Sequence, residues 1–380
     1  MSANLRKGWV PAAWVFYLLI VFEIIFMISP FALYYYSGYG SVLNSLHNSK
    51  ATAWISGFFL PHYTESTSWV LNSSKGVGYF LFLTGLLVFL ISAGQIYYAK
   101  FTGKNAVTKG LYKTIRHPQY SAFAITGLGV LLVWPRFFVL IGYVTMLFVY
   151  YYLAKKEEQD CLKKYEEHYR VYLGSTSMFL PGRFSLYEKL PQFWHKFQQK
   201  KLTPVFNYIS VLIISVIIAF WIRNYSISSV STFYSNNSAA ISTVLMAESK
   251  MNQILQLALN EPEVWNRLKK AGFDNSSKFL NYIVPNEWIL ADLPLETISN
   301  PEEVRGHYQP DNYNKSEYKV LFTRALSHNT ETIEDADIIK RTYGREPVLL
   351  VRLNISTKEI LAIETPPEHV LWGDIPTPLF

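Results

Sequence analysis

Two short polar clusters in this 380-residue sequence hold the residue types that do chemistry. The first reads K-G-L-Y-K-T-I-R-H-P-Q-Y over residues 109–120; the second reads K-K-E-E-Q-D-C-L-K-K-Y-E-E-H-Y-R-V-Y over 155–172 and is followed by F-L-P-G-R-F over 179–184. Arg116 and His117 are donors suited to a carboxylate, while Glu157 and Glu158 accept from an amino group or from hydroxyls. Tyr120, Tyr165 and Tyr169 offer aromatic faces to a cation, worth about 1 kcal/mol or more once desolvated. Pro118 drives the residue before it out of helical conformation, so the Arg-His pair sits at a helix start, where unpaired N–H groups favour an anion. No metal site is expected: Cys161 is the single cysteine, and the eight histidines form no H-E-x-x-H or similar spacing.

The elements that must position these clusters are apolar. Half of the chain is hydrophobic and only 17% is charged, against roughly 25% in an average soluble domain. Five stretches are almost free of charge: residues 11–36, 76–99, 118–135, 137–154 and 203–222. Spans of about 18–25 residues, at about 1.5 Å per residue, cross a hydrocarbon core of about 30 Å. The third and fourth stretches are joined by Trp134-Pro135-Arg136 and predict a short helical hairpin. The two clusters flank that hairpin and are expected to meet at one membrane face.

At these residues the sequence resembles the membrane methyltransferase family of isoprenylcysteine carboxyl methyltransferase, to which the phospholipid N-methyltransferases are also similar. The resemblance covers about residues 76–184: G-x-Y, then R-H-P-x-Y, an apolar hairpin, the E-E pair about forty residues on, an aromatic helix Y-x-x-x-Y-x-x-Y and a proline. It implies an S-adenosylmethionine site open to the cytoplasm for the cofactor and to the bilayer for an apolar substrate. By the same resemblance Arg116, His117 and Glu158 are expected in catalytic roles. His117, Pro118, Tyr120, Glu157, Glu158, Tyr169 and Arg183 are expected at the cofactor, with Tyr172 and Pro181 as pocket or closure positions. Two positions depart from the pattern, Ala122 and Glu166 standing where the family usually has glycine. A carboxylate acceptor is slightly favoured, on the strength of Arg116, Arg170 and Arg183.

Charge sets the expected topology. Residues 1–222 hold 20 Lys+Arg against 8 Asp+Glu, and residues 223–380 hold 15 against 20, a net +12 and −5. A basic excess confined to the apolar half points to membrane topology and excludes nucleic acid as the partner. With a cytoplasmic N-terminus, 17 basic residues fall inside and only Lys50, Lys75 and Arg136 outside up to the end of the last span. The chain is thus expected to be a multi-pass integral membrane protein, an all-α transmembrane bundle of about five spans with a C-terminal extracytoplasmic α+β domain. The membrane would be the inner membrane of a bacterium or the endoplasmic reticulum of a eukaryote. The expected domains are 1–75, 76–202 with the methyltransferase core, 203–222 as the last span, and 223–380. Six N-x-S sequons, at Asn72, Asn224, Asn236, Asn275, Asn314 and Asn354, fall on the predicted outer side. In the outer part, helices are expected over 242–259 and from Glu261-Pro262 to near Gly272, strands over Tyr318–Ala325, Pro347–Asn354 and Glu359–Glu364, and a Pro-rich tail from Pro366. This domain is a candidate surface for a protein partner.

Plainer readings stand beside these. Glu157-Glu158 also suits a solvated helix face paired with Lys163 and Lys164. Glu23, an ionisable group inside the first span, is either functional or a snorkelling helix contact. Gly127-Leu128-Gly129 follows no strand and reads as close helix packing. Tyr34-Tyr35-Tyr36 and Tyr150-Tyr151-Tyr152 read as interfacial belts, and Trp194-His195 with Lys196, Lys200 and Lys201 as a segment on an anionic membrane surface. Beside the enzyme stands a second class of function, a non-catalytic membrane scaffold or assembly subunit with a methyltransferase-like core.

Overall fold

The computed structural model describes residues 18, 21, 22, 24–35, 45–47, 49, 51–102, 107–181, 203–273, 277–290, 293–295, 307–327 and 333–367. Glu23, Tyr36, Arg183, the Trp194–Lys201 segment, Asn275 and the tail beyond residue 367 lie outside them. Five apolar helices follow in order: α1 (Ile24–Tyr35), α2 (Trp69–Phe101), α3 (Pro118–Val133), α4 (Phe137–Ser175) and α5 (Thr203–Ser229). Among the described residues α2, α4 and α5 are long and apolar enough to cross a membrane, while α1 and α3 are shorter apolar helices. With 39 residues and a kink at Glu166, α4 runs far beyond its apolar stretch 137–154, so its polar remainder carries the second cluster. The chain divides into two compact units, one of Met1–Ser37, Gly78–Leu131 and Ile141–Leu212, the other of Gly38–Val77, Leu132–Leu140 and Ile213–Phe380.

In the first unit the short helix α3 is the buried centre. Its start is set by Pro118 and its end by Pro135 two residues past Val133. Backbones of α2 and α3 touch: a Cβ on Gly129 would lie 2.5 Å from the Phe82 nitrogen, and one on Gly85 2.7 Å from the Thr126 nitrogen. Only glycine permits that approach. Gly127 faces the other way, toward Met146 and Tyr143 of α4, so the two glycines pack opposite sides of one helix. Helix α1 is tied in by the Tyr34 hydroxyl, which donates to the Gly127 carbonyl at 2.8 Å, and by the Tyr150 hydroxyl, which donates to Met27 at 3.2 Å. These bonds correct the reading of both tyrosine triplets as belts. Tyr34 and Tyr150 pack inside, whereas Tyr35, Tyr151 and Tyr152 are exposed.

The second unit is built on a six-stranded sheet in the order β1 (Thr232–Ser235), β2 (Ser238–Ser242), β3 (Phe279–Pro285), β4 (Glu317–Leu326), β5 (Gly344–Asn354) and β6 (Glu359–Glu364). Neighbours are antiparallel except β2 and β3, whose connection carries α6 (Glu248–Leu259) and α7 (Pro262–Lys270). Helix α6 buries Met251, Ile254, Leu255 and Ala258, an i, i+3, i+4, i+7 stripe, and packs on β4 and β5. Every residue of β3 is buried, so both sheet faces are covered. The helix expected from residue 242 begins only at Glu248, because Ser238–Ser242 is a strand; a turn at Asn236-Asn237, with Asn237 at φ 57°, joins it to β1. The loop before α2 and the hairpin turn belong to this unit. Glu65 accepts from the Leu245 amide at 2.9 Å, Phe59 donates to the Pro135 carbonyl, and buried Arg136 donates to the Ser56 carbonyl at 3.0 Å. From α5, Arg223 donates to the carbonyls of Ile339 and Lys340 in a short helix, α8 (Ile338–Arg341).

Candidate functional site

The two sequence clusters meet within the first unit. His117, 3% exposed, ends the chain entering α3, and its Nε2 lies 3.3 Å from Glu158 Oε1 on α4. Its Nδ1 lies 3.4 Å from Glu157 Oε2, an ion-pair distance without hydrogen-bond geometry, and makes no hydrogen bond within the protein. Arg116 places Nε 2.6 Å from the same Glu158 oxygen. One turn into α3, the Tyr120 hydroxyl donates to Glu157 Oε1. Five residues from two separate segments thus form one network of Arg116, His117, Tyr120, Glu157 and Glu158.

The network is not a solvated helix face. Lys163 pairs with Asp160 at 3.7 Å, and Lys164 lies over the Tyr165 ring; both glutamates spend their oxygens on the first cluster instead. Burial works against a charged His117, but the contact with Glu158 and the nearby charges of Glu157 and Glu158 outweigh it and hold the imidazole above its ordinary pKa of 6.5. Glu157 remains the open edge of the site, with its side chain 47% exposed.

Aromatic rings fix the orientation of this network. Tyr120 lies between His117, with ring centroids 5.6 Å apart, and Tyr150, at 4.8 Å. Phe123 stacks on Tyr150, and Phe31 of α1 on Phe123, so a file of rings runs from the first helix to His117. On the other side Tyr112 donates to Gln119 at 2.7 Å and is held in turn by the Tyr172 hydroxyl, 2.5 Å from its carbonyl. Tyr112, Gln119 and Tyr150 went unassigned as site residues from sequence; Tyr112 stood in the G-x-Y of the motif, whereas a buried Tyr150 gives no signal distinct from its two exposed neighbours.

Other expected positions fall differently. Pro118 opens α3, but the amides of Arg116 and His117 are not free for an anion: they donate to the carbonyls of Ser177 and Met178 at 2.9 and 3.1 Å. Tyr169 is buried against Tyr172, with ring centroids 5.6 Å apart, rather than in the five-residue network. Pro181 is exposed, and Arg183 is outside the described residues. Glu166, one of the two departures from the family pattern, breaks the helical backbone of α4 with φ 42° and ψ −117°.

The donor set suits S-adenosylmethionine in one specific respect. A half-exposed carboxylate, Glu157, beside a buried histidine nitrogen that lacks a hydrogen bond offers an acceptor to an ammonium or to ribose hydroxyls. Among the described residues no group of His, Cys, Asp and Glu could hold a metal ion. Residues 75–168, 94 of the 380, match the family model for phospholipid methyltransferases. The matched stretch contains all five residues of the network and stops one residue short of Tyr169. That stretch is similar to membrane methyltransferases, and the match supports methyltransferase activity in general. No curated protein and no solved structure matches the chain.

Proposed function

We propose that the chain is an integral membrane methyltransferase that takes its methyl group from S-adenosylmethionine and passes it to an apolar or lipid-linked acceptor. The observation that carries this reading is the joining of Arg116, His117 and Tyr120 to Glu157 and Glu158 inside the stretch that matches the family model. The cofactor supplies an electrophilic methyl on a sulfonium. Glu157 and His117 are the residues that would hold its polar end, with Glu158 fixing His117 from behind.

The acceptor is better assigned as an amine or hydroxyl than as a carboxylate. Arg116 is engaged by Glu158 and by two backbone carbonyls, and Arg170 is exposed and paired with Glu167 at 3.6 Å, so neither of these two arginines is left to favour a carboxylate. An amine or hydroxyl must lose a proton, and Glu157 is the open carboxylate able to take it.

Topology follows the same proposal. The outer loop, the hairpin turn and residues 223–380 fold into one unit, while both chemical clusters fold in the other. The basic residues, 17 on one side of the expected spans against three on the other, support five spans, a cytoplasmic N-terminus and site, and an extracytoplasmic C-terminal domain that presents a surface to a protein partner. The size of that domain is what favours the scaffold alternative.

Calorimetric titration of purified full-length protein with S-adenosylmethionine tests the reading. Binding is expected, weakened by about tenfold or more in Glu157→Gln and His117→Ala, since a hydrogen bond to a charged group contributes about 1.5–3 kcal/mol. No binding by the wild type would leave the scaffold function standing.

A further inference from the structure

We propose that Arg116 is a positioning residue: it clamps the segment that follows α4 across His117 and does not bind substrate or cofactor. The inference refines the methyltransferase reading of this site and rests on it for its functional meaning.

The side chain is directed at the protein. Its Nε donates to Glu158, and its Nη1 donates to the carbonyls of Leu173 at 3.2 Å and of Thr176. Those carbonyls lie at the C-terminal end of α4, where a helix collects partial negative charge and has no amides left to satisfy them. No basic residue stands in the last turn of α4 itself. Arg116, 57 residues before Leu173, supplies the missing cation from another element.

Around that clamp the backbone forms a seam. Ile115 and Ser177 form a parallel bridge, the Arg116 and His117 amides donate to Ser177 and Met178, and the Ser121 hydroxyl donates to the Phe179 carbonyl at 2.8 Å. The seam puts the Phe179 ring 6.0 Å from the ring of His117. At the other end Tyr172 holds the Tyr112 carbonyl. One guanidinium therefore fixes Glu158, which orients His117, and fixes the strap of residues 176–180 that lies against the same histidine. Lysine, a point charge without the planar fork, can keep the ion pair with Glu158 but not all three acceptors.

Hydrogen–deuterium exchange on the full-length protein in detergent, without cofactor, reads the clamp directly. In Arg116→Gln the amides of residues 112–117 and 172–180 are expected to exchange about tenfold faster than in the wild type, with those of α3 beyond Ser121 unchanged. Arg116→Lys, the milder variant should Arg116→Gln fail to fold, is expected to loosen 172–180 while the titration of His117, followed by NMR, stays close to that of the wild type. Unchanged exchange in both variants overturns the proposal. So does a loss of S-adenosylmethionine affinity with unchanged exchange, which would place Arg116 at the ligand. Absence of cofactor binding by the wild type counts against the methyltransferase reading alone and leaves the exchange result intact.

Discussion

At the scale of single residues the site is a buried histidine held between two carboxylates, one of them, Glu157, open to the solvent. His117 is nearly fully buried, a place where an imidazole ordinarily loses its proton, and the two glutamates reverse that preference. The sign of the resulting pH dependence follows. A group whose folded pKa is raised contributes stability that is fully present below its unfolded value of 6.5 and is lost as pH rises through the folded value. The thermal midpoint of the wild type is therefore expected to fall between about pH 6 and about pH 9 by more than that of His117→Gln. Equal falls in the two proteins would mean that the imidazole is not held charged. The types of residue needed here were legible in the sequence, because arginine, histidine and a pair of glutamates beside an apolar hairpin are few enough to single out. Their division of labour was not. Nothing in the letters R-H-P distinguishes an arginine that meets a ligand from one that caps a helix 57 residues away.

At the scale of elements, α3 and α4 do the positioning. Helix α3 is short, central and glycine-packed, and the part of α4 before Glu166 carries the glutamates from the apolar stretch to the site. The backbone of α4 is broken at Glu166, whose φ of 42° falls where side chains other than glycine are disfavoured. Glu166→Gly is expected to raise stability by about 1 kcal/mol, seen as a higher thermal midpoint in detergent, whereas glycine at an ordinary interior position such as Lys163 costs about 1 kcal/mol. A lower midpoint for Glu166→Gly would show that this backbone is relaxed. The departure at Glu166 was visible from sequence as a turn-like position lacking its glycine, and the kink between two helical stretches falls there. The apolar helices were legible from their length and hydropathy, and β4, β5 and β6 from alternation and turn residues. Strands β1, β2 and β3 escaped: β1 and β2 have only four and five residues, Ser and Ala among them, and β3 is buried along its whole length and so lacks the alternation of a half-exposed strand. In the tyrosine triplets, composition alone could not separate packed Tyr34 from exposed Tyr35, or packed Tyr150 from exposed Tyr151 and Tyr152, since all are equally suited to a membrane interface.

At the scale of the whole molecule, the positive-inside count gives the proposed topology a direct test. In a Cys161→Ala background, cysteine placed at exposed Ser356 in the β5–β6 turn is expected to react with a membrane-impermeant maleimide added to intact cells. Cysteine at Lys163, exposed on the polar part of α4, is expected to react only after permeabilisation. Labelling of both positions from the same side would overturn the arrangement. The second unit is also assembled from three separate stretches of chain, Gly38–Val77, Leu132–Leu140 and Ile213–Phe380. Its internal bonds bridge long intervals, among them Thr67 to Ser229, 162 residues apart, and Gln309 to Tyr63, 246 apart. During synthesis the first stretch is therefore complete well before its partners exist. At about 5–20 residues per second, the ribosome needs on the order of ten seconds or more to reach residue 213 from residue 77. Phe58 and Phe59 meet Trp134, Arg136 and Phe137 as soon as the second stretch is made, but the bonds of Tyr63 and Thr67 to Gln309 and Ser229 wait for the third, so this unit cannot close until the chain beyond residue 213 is synthesised.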